Sequence, residues 1–430
     1  MKVFVQSFGC RASQADGAAI EAAFADHGCE TARQSAGADL VVLNTCTVTA
    51  SADLDVRRMI RNVHRDQPQA KILVTGCYAQ RAPQELAEIP GVNWVVGNSH
   101  KPQIAEIVLE SREAYHGQVL VGDMVAQTGF LSTPVRDVRE DRTRPNLKVQ
   151  DGCSNRCSFC IIPSVRGRSR SAPLEQVLAQ VRELANRYCE IVLSGINLGR
   201  WGRDLPGNMR FADLVRMILA ETDVKQLRIS SVEPMDWSQE LLELVASEAR
   251  IAKHVHLPLQ SGSDAVLKRM FRKYRTRHYA TRLELARRLM PTAAIGADVM
   301  TGFPGETEAE FAETLRFVEE HPFTYLHVFT YSERPGTDAV QLGDPVPMEV
   351  RRERTRILRG FSDRKNREFR RQTIGQTLRA VTLEQRGMAL TSNFLKVEMA
   401  AIREPNQMLD LEIAGLTETG LRERALLPVL

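Results

Sequence analysis

Asn146-Leu147-Lys148-Val149-Gln150-Asp151-Gly152-Cys153-Ser154-Asn155-Arg156-Cys157-Ser158-Phe159-Cys160 reads as a strand that runs into a loop carrying three thiols within eight residues. Three sulfurs on one tight loop suit three corners of an iron–sulfur cube, because soft thiolates select such clusters. The fourth iron then has no protein ligand, and an open position on a metal is where substrate binds. A ferredoxin needs a fourth Cys close by, but the next one, Cys189, lies 29 residues on. The spacing argues for a reactive cluster rather than an electron carrier.

Downstream of this loop, apolar runs at 190–194, 226–230, 254–259, 293–301 and 325–331 alternate with helical patterns at 174–187, 211–221, 238–247, 276–289 and 308–321. With the strand at 146–150 they make six βα units. This predicts an incomplete parallel barrel whose active face lies at the carboxyl ends of the strands, where the cysteine loop sits.

Upstream, strands at 2–9, 38–45, 70–76 and 93–97 alternate with helices at 13–27 and 50–65, the pattern of an open parallel sheet. Three of these strands end in Cys10, Cys46 and Cys77. Ligands bind beyond the carboxyl ends of such strands. One buried Cys there is ordinary core, but three at the same rim, in a chain with a second triplet, point to a metal.

The resulting organisation is an α/β protein: an N-terminal domain over 1–114, a linker over 115–145, a barrel over 146–345, a basic helix over 346–372 and a small β domain over 373–430, read from the alternation at 377–383 and the turn at Gly387. Apolar residues make up 43% and charged residues 26% of the 430 positions. No stretch reaches the ~18 consecutive apolar residues of a membrane span. A cytoplasmic protein with reduced thiols is expected, with no membrane partner. Net charge is only +4, yet residues 351–371 hold ten Lys or Arg against three acids, and 268–277 hold six with none. Either block alone is as readily a solvated helix face, but the two together with a basic turn at Arg166, Arg168 and Arg170 favour a phosphate backbone. The helix is the better candidate for gripping nucleic acid, since the β domain has Phe394 as its only aromatic residue for base stacking. The nine His show no zinc spacing, and His254 and His256 are expected on opposite faces of one strand.

The motifs Gly9-Cys10-Arg11, Asn44-Thr45-Cys46-Thr47-Val48, Thr75-Gly76-Cys77, the loop from Asp151 to Cys160 with Ile161-Ile162-Pro163, His256-Leu257-Pro258-Leu259-Gln260-Ser261-Gly262-Ser263 and Gly302-Phe303-Pro304-Gly305-Glu306-Thr307 carry a resemblance. On them the chain resembles a radical S-adenosylmethionine (SAM) methylthiotransferase over essentially its whole length. Thr45-Cys46-Thr47-Val48-Thr49, Gly195-Ile196-Asn197-Leu198-Gly199 and Tyr331-Ser332-Glu333-Arg334-Pro335-Gly336-Thr337 are most similar to the branch acting on threonylcarbamoyladenosine, next to the anticodon of tRNA. Other branches act on isopentenyladenosine at the same place or on a ribosomal-protein aspartate. An iron–sulfur RNA-binding sensor without catalysis is the alternative from another class.

The resemblance implies two 4Fe–4S clusters and SAM. Cys153, Cys157 and Cys160 would hold the cluster that binds SAM and yields a 5′-deoxyadenosyl radical, which removes hydrogen from carbon 2 of the adenine. Cys10, Cys46 and Cys77 would hold an auxiliary cluster carrying the sulfur to be inserted. It also implies a tRNA anticodon stem-loop as partner, an electron donor of flavodoxin or ferredoxin type, a sulfur donor, and a C-terminal RNA-binding domain of the TRAM type. Candidate SAM contacts are Phe159 on the adenine ring, Ser194 and Gly195 near the methionine amino group, Ser230 and Glu233 at the ribose, and Gln260 and Ser261 beyond the fourth strand. Ser13 stands where relatives usually carry Asn, so contacts near the auxiliary cluster are expected to differ.

Overall fold

The computed structural model describes residues 1–110, 117–124, 126, 130 and 143–425. Strands β1 (Lys2–Ser7), β2 (Glu30–Thr31), β3 (Leu40–Thr45), β4 (Lys71–Gly76), β5 (Val92–Val96) and β6 (Gln118–Leu120) form one parallel sheet in the order β2-β1-β3-β4-β5-β6. Strand β3, with the run LVVLNT, is buried along its whole length, as a central strand covered on both faces must be. Thr49 starts the helix Ala50–Asp66 by accepting from the Ala52 amide at 3.2 Å. Strand β6 falls inside the stretch expected to be linker. Its residues Gln118, Val119 and Leu120 pair with the exposed edge of β5, which would otherwise stay open. Much of the rest of that expected linker lies outside the described residues.

The central unit comprises β7 (Asn146–Asp151), the two-residue β8 (Arg170–Ser171), β9 (Glu190–Gly195), β10 (Gln226–Ile229), β11 (His254–His256), β12 (Ala294–Thr301) and β13 (Tyr325–Thr330). Sheet β10-β9-β7-β8 and sheet β11-β12-β13 are joined by a parallel bridge from Leu227 to Ile251. Apart from antiparallel β8, six parallel strands follow one another in chain order, as expected of a partial barrel. Strand β11 is shorter than the expected 254–259 because Pro258 has no N–H for a ladder. His254 and His256 share one face, both buried, with rings 6.5 Å apart. The expectation of opposite faces fails because side chains two residues apart point the same way in a strand.

The N-terminal domain covers the open side of the barrel. Its first helix, Arg11–Asp26, lies against β7: Asn146 donates to Gln14 at 3.1 Å and Lys148 pairs with Asp16 at 2.5 Å. The helix Met348–Arg371 lies on β12 and β13, where Ser362 receives the Leu326 amide at 2.8 Å and Thr355 meets Thr301 at 2.7 Å. Its basic block is only partly available to RNA. Arg351, Arg354 and Arg370 are buried; Arg351 donates to the Tyr331 carbonyl, Arg354 pairs with Glu306, and Arg370 donates to the Gly420 carbonyl. Arg364 and Lys365 reach Glu319 and the His321 carbonyl. Five of the ten cations thus tie the helix to the barrel or, for Arg370, to the C-terminal domain, whereas Arg352, Arg356, Arg359, Arg367 and Arg371 are exposed.

That last domain is a closed barrel of β14 (Thr377–Thr382), β15 (Met388–Thr391), β16 (Lys396–Glu398), β17 (Met408–Leu416) and β18 (Leu421–Glu423), in the order β14-β15-β16-β18-β17. Phe394 stacks on His254 at 4.3 Å and meets the Arg228 guanidinium at 5.4 Å, so its ring serves the junction rather than an RNA base. Arg228, fully buried, bonds Glu190 through two nitrogens at 2.8 and 2.9 Å and donates to the Thr391 and Ser392 carbonyls.

Burial alone would raise the Glu190 carboxyl, but Arg228 and Arg144 pull it down from 4.5 to about 2. A depressed carboxylate stabilises the fold above its ordinary value and loses that contribution as pH falls through the folded value. Glu190→Ala strands Arg228 and should cost about 3–5 kcal/mol at neutral pH. Urea denaturation checks this: the gap between variant and wild type should close as pH falls from 4.5 towards about 2, and a gap constant with pH contradicts it.

Candidate active site

The rim of the N-terminal sheet brings Cys10, Cys46 and Cys77 together. Thr45 and Gly76 are register partners on β3 and β4, so Cys46 and Cys77 leave adjacent strands side by side. Ser7 pairs with Asn44 on the other flank, and the chain then turns through Gly9 at φ +98° to reach Cys10. That positive φ favours Gly. The position is also tight, since a Cβ on Gly9 would sit 2.8 Å from Cys46 Sγ. Burial, then the proximity of Cys77 and, more weakly, Cys10, pushes the Cys46 thiol up to about 12.

The second group lies beyond β7. Cys153 receives its place from a backbone bond to the Gly167 carbonyl at 3.0 Å, and the Cys160 amide closes a turn on the Cys157 carbonyl at 3.0 Å. Burial, then Cys157 and Cys153, pushes the Cys160 thiol up to about 12. Each sulfur faces donors as well as its neighbours. Arg272 donates to Cys157 Sγ at 3.1 Å, Asn197 to Cys153 Sγ at 3.5 Å and the Asn155 amide to Cys153 Sγ at 3.4 Å. N–H donors on sulfur stabilise thiolate and tune a cluster it holds.

Arg166 connects the two groups. Its Nε donates to Cys77 Sγ at 3.3 Å, Nη1 to Asp151 at 2.9 Å, and Nη2 to Asp16 at 3.0 Å and Ser13 Oγ at 3.3 Å. Ser13 Oγ in turn lies 3.7 Å from Cys10 Sγ. Lys148 pairs with both Asp16 and Asp151, and Lys101 with Asp16 at 2.8 Å. Among the described residues, Arg166, Lys148 and the largely buried Lys101 thus meet two buried carboxylates, with Arg166 facing Cys77. Burial works against this charge, yet Cys77, Asp151 and Asp16 hold the Arg166 guanidinium protonated well above its usual range. Cys77 also packs directly on Ile161 and Val165 of the loop that follows Cys160.

A cavity of about 240 Å³ opens between the two domains, lined by Val48 and Thr49 on one side and by Phe159, Cys160, Ile161, Gln260, Asp298, Met300 and Tyr331 on the other. Its walls are tied together by Arg334, which pairs with the buried Asp53 at 2.6 Å, and by the Ala50 amide, which donates to Ser332 at 3.1 Å.

Among the expected SAM contacts, Phe159 and Gln260 line this cavity, Gln260 in a left-handed conformation at φ +68°. Gly195 packs so closely on Gln150 that a Cβ would meet its side chain at 3.0 Å. Ser194 is buried with an unpartnered hydroxyl, Ser230 is buried, and Glu233 pairs with Arg272 beside Cys157. Ser261 does not join them: it is fully buried, its hydroxyl 3.2 Å from Thr314 and accepting from the Ser263 amide. That hydroxyl anchors a turn against the helix Glu308–Glu320. Arg166 and Arg272 were read from the sequence only as parts of basic stretches and Asp298 not at all; a lone Arg or Asp carries no spacing signal, and the sulfur and acid partners lie far away in the chain.

Residues 2–97 match the "Uncharacterized protein family UPF0004", and residues 147–318 match the "Radical SAM superfamily". The chain is 37% identical over 414 residues to "Threonylcarbamoyladenosine tRNA methylthiotransferase MtaB" of Aquifex aeolicus, covering 95% of this chain and 99% of the relative. It is 38% identical over 405 residues to the protein of the same name in Bacillus subtilis, covering 92% and 89%. A "tRNA-2-methylthio-N(6)-dimethylallyladenosine synthase" of Syntrophobacter fumaroxidans is 35% identical, covering 81% and 77%. Among solved structures, the radical SAM methyltransferase TsrM of Kitasatospora setae shares the fold at a TM-score of 0.58 and 16% identity, covering 79% and 76%. Two groups of three cysteines bridged by Arg166, a match to the radical SAM superfamily and this identity along nearly the whole chain have one meaning: the protein belongs to the family of radical SAM tRNA methylthiotransferases.

Proposed function

We propose that the chain inserts sulfur and a methyl group at carbon 2 of N6-threonylcarbamoyladenosine beside the tRNA anticodon. The observation that carries the chemistry is Arg166, which spans from Asp151 at the start of one cysteine loop to Cys77 of the other group, beside an interdomain cavity with Cys160 in its wall. The substrate follows from the relatives of highest identity, which bear that nucleoside in their names. The isopentenyl type of substrate is the runner-up, from relatives of slightly lower identity.

The residues present fit two 4Fe–4S clusters. Each group offers three sulfurs, and each has a buried guanidinium on one sulfur, Arg272 on Cys157 and Arg166 on Cys77. In this reading Cys153, Cys157 and Cys160 hold one cluster and Cys10, Cys46 and Cys77 the other. When bound, the first cluster and SAM supply one-electron reductive cleavage and hydrogen abstraction, and the second supplies sulfur. The protein's own residues bind, aim and exclude. Phe159 and Gln260 border the space for SAM, Glu233 is held beside Cys157 by Arg272, and Ile161, Met300 and Phe329 give the cavity apolar walls. An unactivated aromatic C–H has no acid–base route, so positioning and dryness are what the fold contributes. A flavodoxin- or ferredoxin-type reductant and a sulfur donor complete the proposal. Eight free cysteines fit the reducing cytoplasm, and among the described residues no helix is long and apolar enough to cross a membrane.

Cys157→Ala should abolish formation of 5′-deoxyadenosine from SAM, whereas Cys46→Ala should retain cleavage but yield no methylthio nucleoside. Chromatography of nucleosides and deoxyadenosine after anaerobic reduction checks both halves, and equal cleavage by wild type and Cys157→Ala would contradict the first. Replacing Arg166 by Met leaves Asp16 and Asp151 balanced by Lys101 and Lys148 but strips the cation from Cys77. Reconstituted iron should fall from about eight per chain to about four; a variant that keeps the wild-type complement refutes that role.

A further inference from the structure

Inside the partial barrel three neighbouring strands aim metal-ligating side chains at one point. His256 ends β11, Asp298 lies in β12, and His327 is the register partner of Asp298 on β13. One ligand atom from each lies within 4.8 Å of the other two. His256 Nε2 and His327 Nδ1 each stand 3.4 Å from Asp298 Oδ1.

His256 is 6% exposed, yet neither ring nitrogen has a hydrogen-bond partner among the described residues. Its neighbour His254 meets the Tyr325 hydroxyl at 2.7 Å. A buried polar group left unsatisfied is costly, and the described residues offer the His256 ring only Asp298, at 3.4 Å. Charge-assisted hydrogen bonds between nitrogen and carboxylate run at about 2.7–2.9 Å, well short of 3.4 Å. A tetrahedral zinc ion with bonds of roughly 2.0–2.1 Å separates its ligand atoms by about 3.3–3.4 Å.

Two imidazoles and one carboxylate also leave a fourth position open, as catalytic and substrate-binding zinc sites do. Asp298 stands in the wall of the cavity that holds Cys160 and Gln260, and the His327 side chain is 52% exposed, so an ion has a way in.

We propose that His256, Asp298 and His327 bind one divalent cation of the zinc class, whose open position takes an oxygen of the substrate. The substrate half of this rests on the function proposed above. A threonylcarbamoyl group presents a carboxylate, a hydroxyl and a urea carbonyl; bare Asp298 repels that carboxylate, whereas a dication on one carboxylate and two neutral imidazoles leaves net positive charge to attract it.

The test uses anaerobically reconstituted holoenzyme titrated with Zn²⁺ by calorimetry, with bound zinc and iron counted by mass spectrometry after desalting. Wild type should take up one zinc per chain. His327→Ala, chosen because the side chain is half exposed and its loss spares the fold, should bind it far more weakly, beyond the roughly 10–100-fold that loss of an outer-sphere partner costs. Asp298→Asn should behave alike, with iron unchanged in both. Zinc should tighten binding of an anticodon stem-loop carrying threonylcarbamoyladenosine and leave the unmodified loop unaffected, and His327→Ala should abolish that gain. Equal zinc uptake by wild type and His327→Ala, no uptake by wild type, or zinc uptake without any change in affinity for the modified loop would each overturn the proposal. Normal zinc uptake with no methylthiolated product counts against the proposed function and not against the cation site.

Discussion

One buried guanidinium sets the relation between the two halves of the site. Arg166 reaches Asp151 at the start of the cysteine loop and, through its other nitrogens, Cys77, Asp16 and Ser13 of the N-terminal domain. A planar fork that is always charged suits this task in a way that a lysine point charge does not. Deleting Asp16 or Asp151 from such a buried set would leave uncompensated positive charge and be costly. The positions of both cysteine groups therefore depend on a contact that carries no chemistry of its own. The guanidinium beside Cys77 favours the thiolate form of that sulfur, the form a metal would bind.

From this contact the architecture follows outward. The helix Arg11–Asp26 lies on β7 because Asp16 and Gln14 meet the inward-facing Lys148 and Asn146, and that packing covers the side of the barrel that six strands leave open. The pair Arg334–Asp53 closes the opposite wall. At the far end, Arg228 joins Glu190 to the C-terminal barrel, and Phe394 is drawn into the junction. Charges buried at domain boundaries, rather than one continuous apolar core, define how the three units fit together.

The parts legible in the sequence were those with local spacing or strict periodicity. Three thiols in eight residues mark a candidate ligand loop without a structure, and Cys10, Cys46 and Cys77 were legible as neighbours because parallel topology puts the ends of successive strands on one rim. Features depending on what a side chain meets across the fold were not. Arg351, Arg354 and Arg370 read as free charge until burial placed them on carbonyls and Glu306. Ser261 followed the fourth strand as an active-face residue should, but the turn after Pro258 sends its hydroxyl to Thr314. Arg166 and Asp16 are separated by 150 residues, and His256, Asp298 and His327 by more than 25 each, so no motif announces either group.

The central claim is that two clusters share one chamber, and electron paramagnetic resonance of the fully reduced protein tests it most directly. Spins held on Cys153, Cys157 and Cys160 and on Cys10, Cys46 and Cys77 must feel each other across the cavity. The signal of the loop cluster should be broadened and fast-relaxing in the wild type and should sharpen and slow when Cys46 is replaced. Identical line shapes and relaxation in the two proteins, with both clusters present in the wild type, would contradict the account.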